Sequence, residues 1–503
     1  MNDNRREFLR KSGCALSMLA LATQARHFGM MNAMAQTVSE KSDETAAPPT
    51  DYRALVCILL AGGNDGNNLI VPNHSDANIS NYSVYASSRS VQGLAIPQNQ
   101  LLSVAVPRLG NLTYGLHPSL GAVPQQGGIN NGIHELWAQG KLAVVANTGN
   151  LIRPMTKAQY SQNPAWRPFQ LFSHSDQIQQ QQTSRSDSPT PVGWGGKIAD
   201  RKNLSDNPNG RISMVTSISG TQLFTLGQTT TPLAIRDANI PLNETLTLAG
   251  RTCCNDAFGN ARNAMLAELR TVDLDSQLIG ATSHITNQAQ IASTALSSFQ
   301  EVTAAFPNTD LGRQLKQVAR IIKKRSDLTI NRQVFFVQLG GFDTHQNQIS
   351  GQKSQTALLA QLSQAMRAFY DEMVAQNIQN NVTSFTLSDF GRTMNPSGVG
   401  GNVGSDHAWG NNMMVLGGSV TGGNIYGNTR PDGTGNIFPT LQLGGADDID
   451  TGTNPRGRWL PTTSVEQYAA TLARWYGLTD TDLSVVFPNI ANFPINNLGF
   501  MNP

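Results

Sequence analysis

Aspartate and histidine recur where the apolar runs of this chain stop. Asp65 lies in the Gly-Gly-Asn-Asp-Gly turn after the run 54–60, and Asp343 and His345 follow the run 334–339. Asp389 follows the run 382–387, and Asp406-His407 stands ahead of the run 413–416. Carboxylates and imidazoles gathered in one place bind divalent metal; this mixture favours zinc or manganese, while its oxygen-rich part also suits calcium or magnesium. Asp343 and His345 are two residues apart, so in an extended segment both side chains leave on the same side. A single aspartate after a strand is more often a helix cap or a turn residue. Four strand ends with the same chemistry are not readily produced by independent capping, so Asp65, Asp343, His345, Asp389 and His407 are the expected metal ligands. His117 and His134 are read as packing or surface residues.

The elements that must position these residues follow from periodicity. Continuous apolar runs of six or seven residues, such as Ala-Leu-Val-Cys-Ile-Leu-Leu at 54–60, are the pattern of parallel strands buried on both faces. A second strand is expected at 141–146, ending in Asn-Thr-Gly-Asn. Between the runs lie stretches of helical spacing at 260–306, 311–327, 354–376 and 464–476, the last closed by Gly477. Strands alternating with helices predict an α/β fold, a mostly parallel central sheet with helices on both faces. A glycine-rich turn at the carboxyl end of a buried strand is where such sheets hold ligands. Thr-, Ser- and Ile-rich alternation at 205–250 predicts a β-rich insertion, and the Gln- and Ser-rich stretch 176–190 a surface loop or lid. The domain organisation is then residues 36–51 as a polar linker and 52–503 as a single domain.

Composition narrows the function classes. Charged residues are 14% of the chain and the formal net charge is +2, with no basic run, so a nucleic-acid partner is not indicated. Arg5-Arg6 ahead of Phe8-Leu9, an apolar run at 13–23 and the exit Ala33-Met34-Ala35 have the anatomy of a twin-arginine export signal over residues 1–35. The apolar run is about half the roughly 20 residues of a membrane-spanning helix, so no stable membrane span is expected. The twin-arginine translocase is the expected partner during export, the destination is the periplasm or beyond, and folded export fits a metal loaded beforehand. Of the four cysteines, Cys14 lies in the signal, which leaves Cys57, Cys253 and Cys254 without a disulfide framework or a cysteine zinc site.

The stretches AGGNDGNNLIVP (61–72), GGFDTHQNQ (340–348), SDFGRT (388–393) and GSDHAWGNNMMVLGG (404–418), in this order, resemble domain-of-unknown-function family 1501. Its exported members are similar to the alkaline phosphatase and sulfatase superfamily. That resemblance implies an alkaline-phosphatase-like fold and metal-dependent hydrolysis of phosphate or sulfate esters, with a small-molecule or polymer ester as substrate. It implies metal-ligand roles for Asp65, Asp343 and His407. The chain departs from the superfamily pattern in two places: Asn347 stands four residues after Asp343 where a histidine is usual, and Phe390 stands beside Asp389 in place of another. These departures point to one metal rather than two, or to an oxygen-preferring metal. By register the nucleophile is Ser173, with His174 as neighbouring proton shuttle or ligand and Arg392 and Arg153 as candidates to hold the ester's oxyanion. A Cys-x-Pro-x-Arg signature is absent, which disfavours a formylglycine sulfatase. A non-catalytic exported binding protein on the same fold is the alternative.

Replacing Arg5 and Arg6 by lysine should leave precursor in the cytoplasm, as measured by fractionation. N-terminal sequencing of exported protein should begin at Gln36. Undiminished export of the lysine variant would remove the twin-arginine assignment.

Overall fold

In the computed structural model, residues 48–122, 132–245 and 261–502 are described, with scattered exceptions between 262 and 276. The export signal at 1–35, most of the linker and Cys253-Cys254 lie outside the described residues. The central sheet is built from β1 (Arg53–Ala61), β5 (Leu142–Gly149), β6 (Val215–Ser217), β7 (Leu233–Ala234), β8 (Arg332–Gly340), β9 (Val382–Ser388), β10 (Asn411–Gly417), β11 (Asn424–Tyr426) and β12 (Thr463–Ser464). Their order is β11-β5-β10-β9-β1-β8-β6-β7, with β12 also against β5. A second, antiparallel sheet holds β2 (Ile70–Pro72), β4 (Leu112–Leu116) and β3 (Leu102–Val106), in that order. The stretch expected as a β-rich insertion supplies β6, which pairs onto β8, and β7, which pairs onto β6, so together they extend the edge of the main sheet.

The main sheet is parallel except for β10, which runs antiparallel to both β5 and β9. That reversal has a direct consequence for the site. The carboxyl ends of β1, β8 and β9 share one edge, and the residues that precede β10 arrive at that same edge.

Alternation along β1 divides the core. Ala54, Val56, Ile58 and Leu60 belong to one apolar cluster, and Leu55, Cys57 and Leu59 to another. Helices Asp310–Lys323 and Gln355–Ala375 and the small sheet cover the first face. Helices Trp194–Asp206, Val465–Tyr476 and Asp480–Val486 cover the second. Both faces of β1 are thereby dry, which is why it reads as an unbroken apolar run rather than as alternation, while β9 admits the small polar residues Thr383, Ser384 and Thr386, also buried.

Two expectations need correction. The helical stretch 260–306 is helical at the described residues 261, 264–265 and 267–268 and over Gln277–Ala295; further on, Glu372 accepts from the backbone N–H of Thr303 (2.7 Å) and Ala304 (2.8 Å) and holds the chain as a loop. The Gln- and Ser-rich stretch is not a surface lid. It forms helix His174–Thr183 with Gln177, Gln180, Gln181 and Gln182 buried. Part of this polar set finds partners elsewhere in the fold: Gln180 donates to Phe169 O (2.7 Å) and Gln182 accepts from Phe224 N–H (2.8 Å), while Gln180 Oε1 and Gln181 Oε1 are buried without one. A buried amide with partners costs little, so composition alone misplaced this segment. Among the described residues, no helix is long and apolar enough to cross a membrane.

Glu466, in the first turn of helix Val465–Tyr476, is fully buried, and burial pushes its carboxyl up to about 8, against the opposing influence of Asn489, Lys197 and Arg185. The unfolded chain ionises this group near 4.5, so between about pH 4.5 and 8 the folded state keeps a proton that the unfolded state releases. Stability therefore falls as pH rises through that window. Glu466→Gln should flatten the decline and be the more stable protein above about pH 8, by at most about 5 kcal/mol. Urea denaturation at both ends of the window measures this, and equal pH profiles for the two proteins would contradict it.

Candidate metal centre

Three imidazoles and one carboxylate meet at the edge where β1, β8 and β9 end. Asp343 and His345 lie just beyond β8, His407 precedes β10, and His174 is the first residue of helix His174–Thr183. Asp343 is aimed by Arg392, whose guanidinium donates to its Oδ1 at 2.5 Å. Arg392 is itself fully buried and also donates to the carbonyls of Gly63 (2.9 Å), Ser405 (3.0 Å), Phe342 (3.1 Å) and Gly62. The approach depends on glycine. Gly62 has φ of +115°, and a Cβ there would lie 2.4 Å from Asp343 N.

Each histidine has its Nδ1 engaged by an acceptor from outside the cluster. His174 Nδ1 meets Asp389 Oδ2 at 2.6 Å, His345 Nδ1 meets Asp406 Oδ1 at 3.0 Å, and His407 Nδ1 meets the carbonyl of Phe172 at 2.7 Å. A carbonyl cannot donate, so the His407 proton sits on Nδ1, and the two carboxylates favour the same tautomer for His174 and His345. The three Nε2 atoms then carry lone pairs, and they converge on Asp343 Oδ1 at 3.4 Å (His174), 3.2 Å (His345) and 3.5 Å (His407). His345 Nε2 and His407 Nε2 are 2.9 Å apart. Lone pairs facing one another and a carboxylate at these distances repel unless a cation, either a proton or a metal ion, lies among them.

The residues fit a metal. Ligand atoms of His174, Asp343 and His407 all lie within 4.8 Å of one another. In a tetrahedral site with bonds of about 2.0–2.1 Å, donor atoms are separated by about 3.3 Å, close to the spacings around Asp343 Oδ1. His174 Nε2 is buried and has no hydrogen-bond partner. A second contact that fixes ring and tautomer, as Asp389, Asp406 and the Phe172 carbonyl do here, is the usual companion of a metal-binding histidine.

Electrostatics agree with the donor roles of Asp343 and His407. Burial raises the Asp343 carboxyl, but the Arg392 hydrogen bond and charge, with His174 and His345, outweigh it and hold the group below its ordinary value. Burial lowers His407, with Arg392, His174 and His345 adding to the effect, so its ring stays neutral. The Asp389 hydrogen bond raises His174 against the effect of burial. Phe390 packs its ring against His174 and His407, with centroids 4.8 and 4.6 Å away. The residue that stands where a histidine was expected therefore orients two others.

The remaining expected residues fall elsewhere. Asp65 is fully buried, caps the short helix Gly66–Leu69, forms an ion pair with Arg89 and accepts from Gln348 Nε2 at 2.6 Å. Its carboxylate is committed to a cation already in the core. Asp389 stands behind His174 and also accepts from Gly62 N–H at 3.0 Å. Ser173 precedes His174, but its hydroxyl donates to Asp176 at 2.5 Å and meets Ser175 at 3.2 Å, all within its own turn. Arg392 has its donors spent on carbonyls and Asp343. Arg153 lies over the Trp166 ring at 4.8 Å. Three contributors escaped sequence reasoning: Asp406 as partner of His345, Arg456, which donates to Asp406 at 2.8 Å, and the Phe172 carbonyl. A backbone acceptor leaves no signal in a sequence, and an isolated arginine in a glycine-rich loop leaves little.

The family model described as "Protein of unknown function (DUF1501)" matches residues 52–463. No curated protein matches the chain. Among solved structures, the chain is similar to Ps i-CgsB in complex with k-i-k-neocarrahexaose, at 8% identity and a TM-score of 0.34, covering 88% of this chain and 77% of that one. It is also similar to the zinc complex of the C-terminal periplasmic domain of EcEptC from Escherichia coli, at 10% identity and a TM-score of 0.29, covering 74% and 77%. The sulfatase PsFucS1 from Pseudoalteromonas sp. aligns at 7% identity and a TM-score of 0.26, covering 80% and 68%.

The different commitments of Asp65 and His407 separate in one experiment. Asp65→Asn strands the buried Arg89 charge and should destabilise the fold by about 3–5 kcal/mol in urea denaturation. His407→Ala should leave stability within about 1 kcal/mol of the parent yet weaken Zn(II) binding by roughly 100-fold or more in a chelator competition. Loss of Zn(II) affinity in a fully stable Asp65→Asn protein would return Asp65 to the ligand set.

Proposed function

The chain belongs to the DUF1501 family, whose description carries no activity; we propose that it is an exported metal-dependent hydrolase of phosphate or sulfate esters, with the metal read from the site, the ester class from the resemblance of its motifs and the export from its N-terminal pattern. The observation that carries this reading is the convergence of three Nε2 lone pairs on Asp343 Oδ1 at 3.2–3.5 Å, with every Nδ1 already engaged. His174, Asp343 and His407 would hold one divalent ion, with His345 beside them, and a set of two or three imidazoles and one carboxylate favours zinc or manganese. Such an ion supplies Lewis-acid polarisation of an ester oxygen.

The chain's own groups do the rest. Arg392 keeps the Asp343 carboxylate ionised and aimed, and Asp389 holds the His174 ring by its Nδ1 proton. Asp406, braced by Arg456, keeps the His345 proton on Nδ1 and leaves Nε2 facing the site, where it can accept a proton. His345 is 44% exposed and Asp343 47%, so the centre is open to solvent and to a substrate of some size. Asp65 and Arg392 have other work in this scheme, and the Ser173 hydroxyl would have to leave Asp176 before it could act as a nucleophile. That engagement favours a second reading, metal binding without turnover, for which the fold is equally suited.

Protein purified without chelator should contain about one zinc or manganese per chain by elemental analysis. It should hydrolyse at least one of a panel of aryl phosphates, phosphodiesters and aryl sulfates, and Asp343→Asn should lose both metal and turnover. Metal without turnover on any ester selects the binding reading. No retained metal, and no binding of added Zn(II) or Mn(II), overturns both.

A further inference from the structure

We infer that Phe172 is a positioning residue for the metal centre, acting on His407 through its carbonyl and on His174 through the turn that begins helix His174–Thr183. The inference rests on the reading of His407 as a ligand. Phe172 has φ of +72°, and Gln170, two residues earlier, has φ of +48°. Bulky side chains seldom occupy the left-handed region, and such a residue persists only where its surroundings over-determine it.

Those surroundings form a closed ring of contacts. The Phe172 carbonyl accepts from His407 Nδ1–H at 2.7 Å. The His407 carbonyl in turn accepts from Arg458 Nε–H at 3.2 Å. The Arg458 guanidinium lies over the Phe172 phenyl ring, 5.2 Å from its centroid, and is anchored by Asp450 at 3.0 Å. The phenyl group also packs against the apolar cluster of Leu151, Met155, Trp409 and Leu460. The packing of the half-buried ring and the cation over it hold the backbone in its left-handed turn, and that turn points the carbonyl at His407. With Nδ1 so engaged, the Nε2 lone pair faces Asp343, 3.5 Å away. The same turn, tied by Ser173 N–H to Gln170 O at 3.2 Å, delivers His174 two residues later. Two ligands on segments more than two hundred residues apart are thus set by one backbone conformation.

Zn(II) and Co(II) alone serve as probes on the full exported chain. Phe172→Gly keeps a carbonyl at the position but removes the ring that fixes it. Its Zn(II) affinity should fall by about 10- to 100-fold, the range for loss of a histidine's supporting contact, and the visible spectrum of the Co(II) form should shift. Phe172→Tyr keeps the ring and should restore both affinity and spectrum. Arg458→Gln keeps a donor for His407 O while removing the cation from the ring, and should weaken Zn(II) binding in the same direction; it carries the test if Phe172→Gly does not fold. Parental Zn(II) affinity together with an unchanged Co(II) spectrum in the folded glycine variant, or in Arg458→Gln where only that folds, overturns the positioning role. Failure of the parent protein to bind either ion overturns the metal reading itself, an outcome visible before any variant is made.

Discussion

The structure at the sheet edge depends on the burial of one guanidinium. Arg392 is shut off from water, and a charge so placed must find hydrogen-bond partners for its whole fork. It finds them at the ends of two adjacent strands and in a third segment: Gly62 and Gly63 beyond β1, Phe342 and Asp343 beyond β8, and Ser405 ahead of β10. These three segments lie past the regular ladder, joined by a few backbone bonds such as Phe342 N–H to Ala61 O and Ser405 N–H to Thr344 O, both 3.1 Å. The arginine adds a side-chain junction to those bonds. It also explains the glycine pair, because a Cβ on Gly62 would collide with Asp343 N and one on Gly63 with the Phe390 ring.

Around that junction the chain spends its charged groups in two different ways. Asp65 and Arg89 neutralise each other in the core and fix where helix Tyr82–Arg89 packs, with Gln348 linking the pair to Ser405 through a 2.6 Å bond. Asp343, by contrast, has a cation on one side only, and its other side faces imidazoles. Burial with a full complement of partners makes a structural carboxylate, while partial exposure with an incomplete complement leaves one free to bind. The distinction lies in the neighbours, which come from far away in sequence.

That is why some of this site was legible beforehand and some was not. β1 and β8 could be read from their apolar runs, because strands buried on both faces admit few polar residues, and β9 from Val, Thr, Phe and Leu in a short segment, its hydroxyls being small enough to bury. Asp343 followed from the end of β8, whereas His407 reaches the same edge only because β10 is reversed, which the apolar run 413–416 does not announce. The role of Asp65 did not, since its partner Arg89 lies 24 residues away on a helix that gives no sign of facing inward. Phe390 stood as a missing ligand, yet its ring keeps two histidines in place, a packing role that motif comparison does not register. The buried glutamines of helix His174–Thr183 were read as a surface lid because composition records polarity and not the carbonyls waiting to receive it.

The reversed strand β10 has an architectural consequence. Between the end of β9 and the start of β10 the chain leaves the sheet edge and returns to it. Isolated bridges pair Arg392 with His407 and Ser397 with Gly404. This excursion is a pinned ribbon with its chemistry at the base and an exposed glycine-rich tip near Gly398–Gly401. Lengthening the tip would close a longer loop at an entropic cost that grows only logarithmically, without disturbing the bridged base. The molecule therefore carries a place where descendants could acquire new rim contacts while the centre below stays unchanged, a separation of what can vary from what must not.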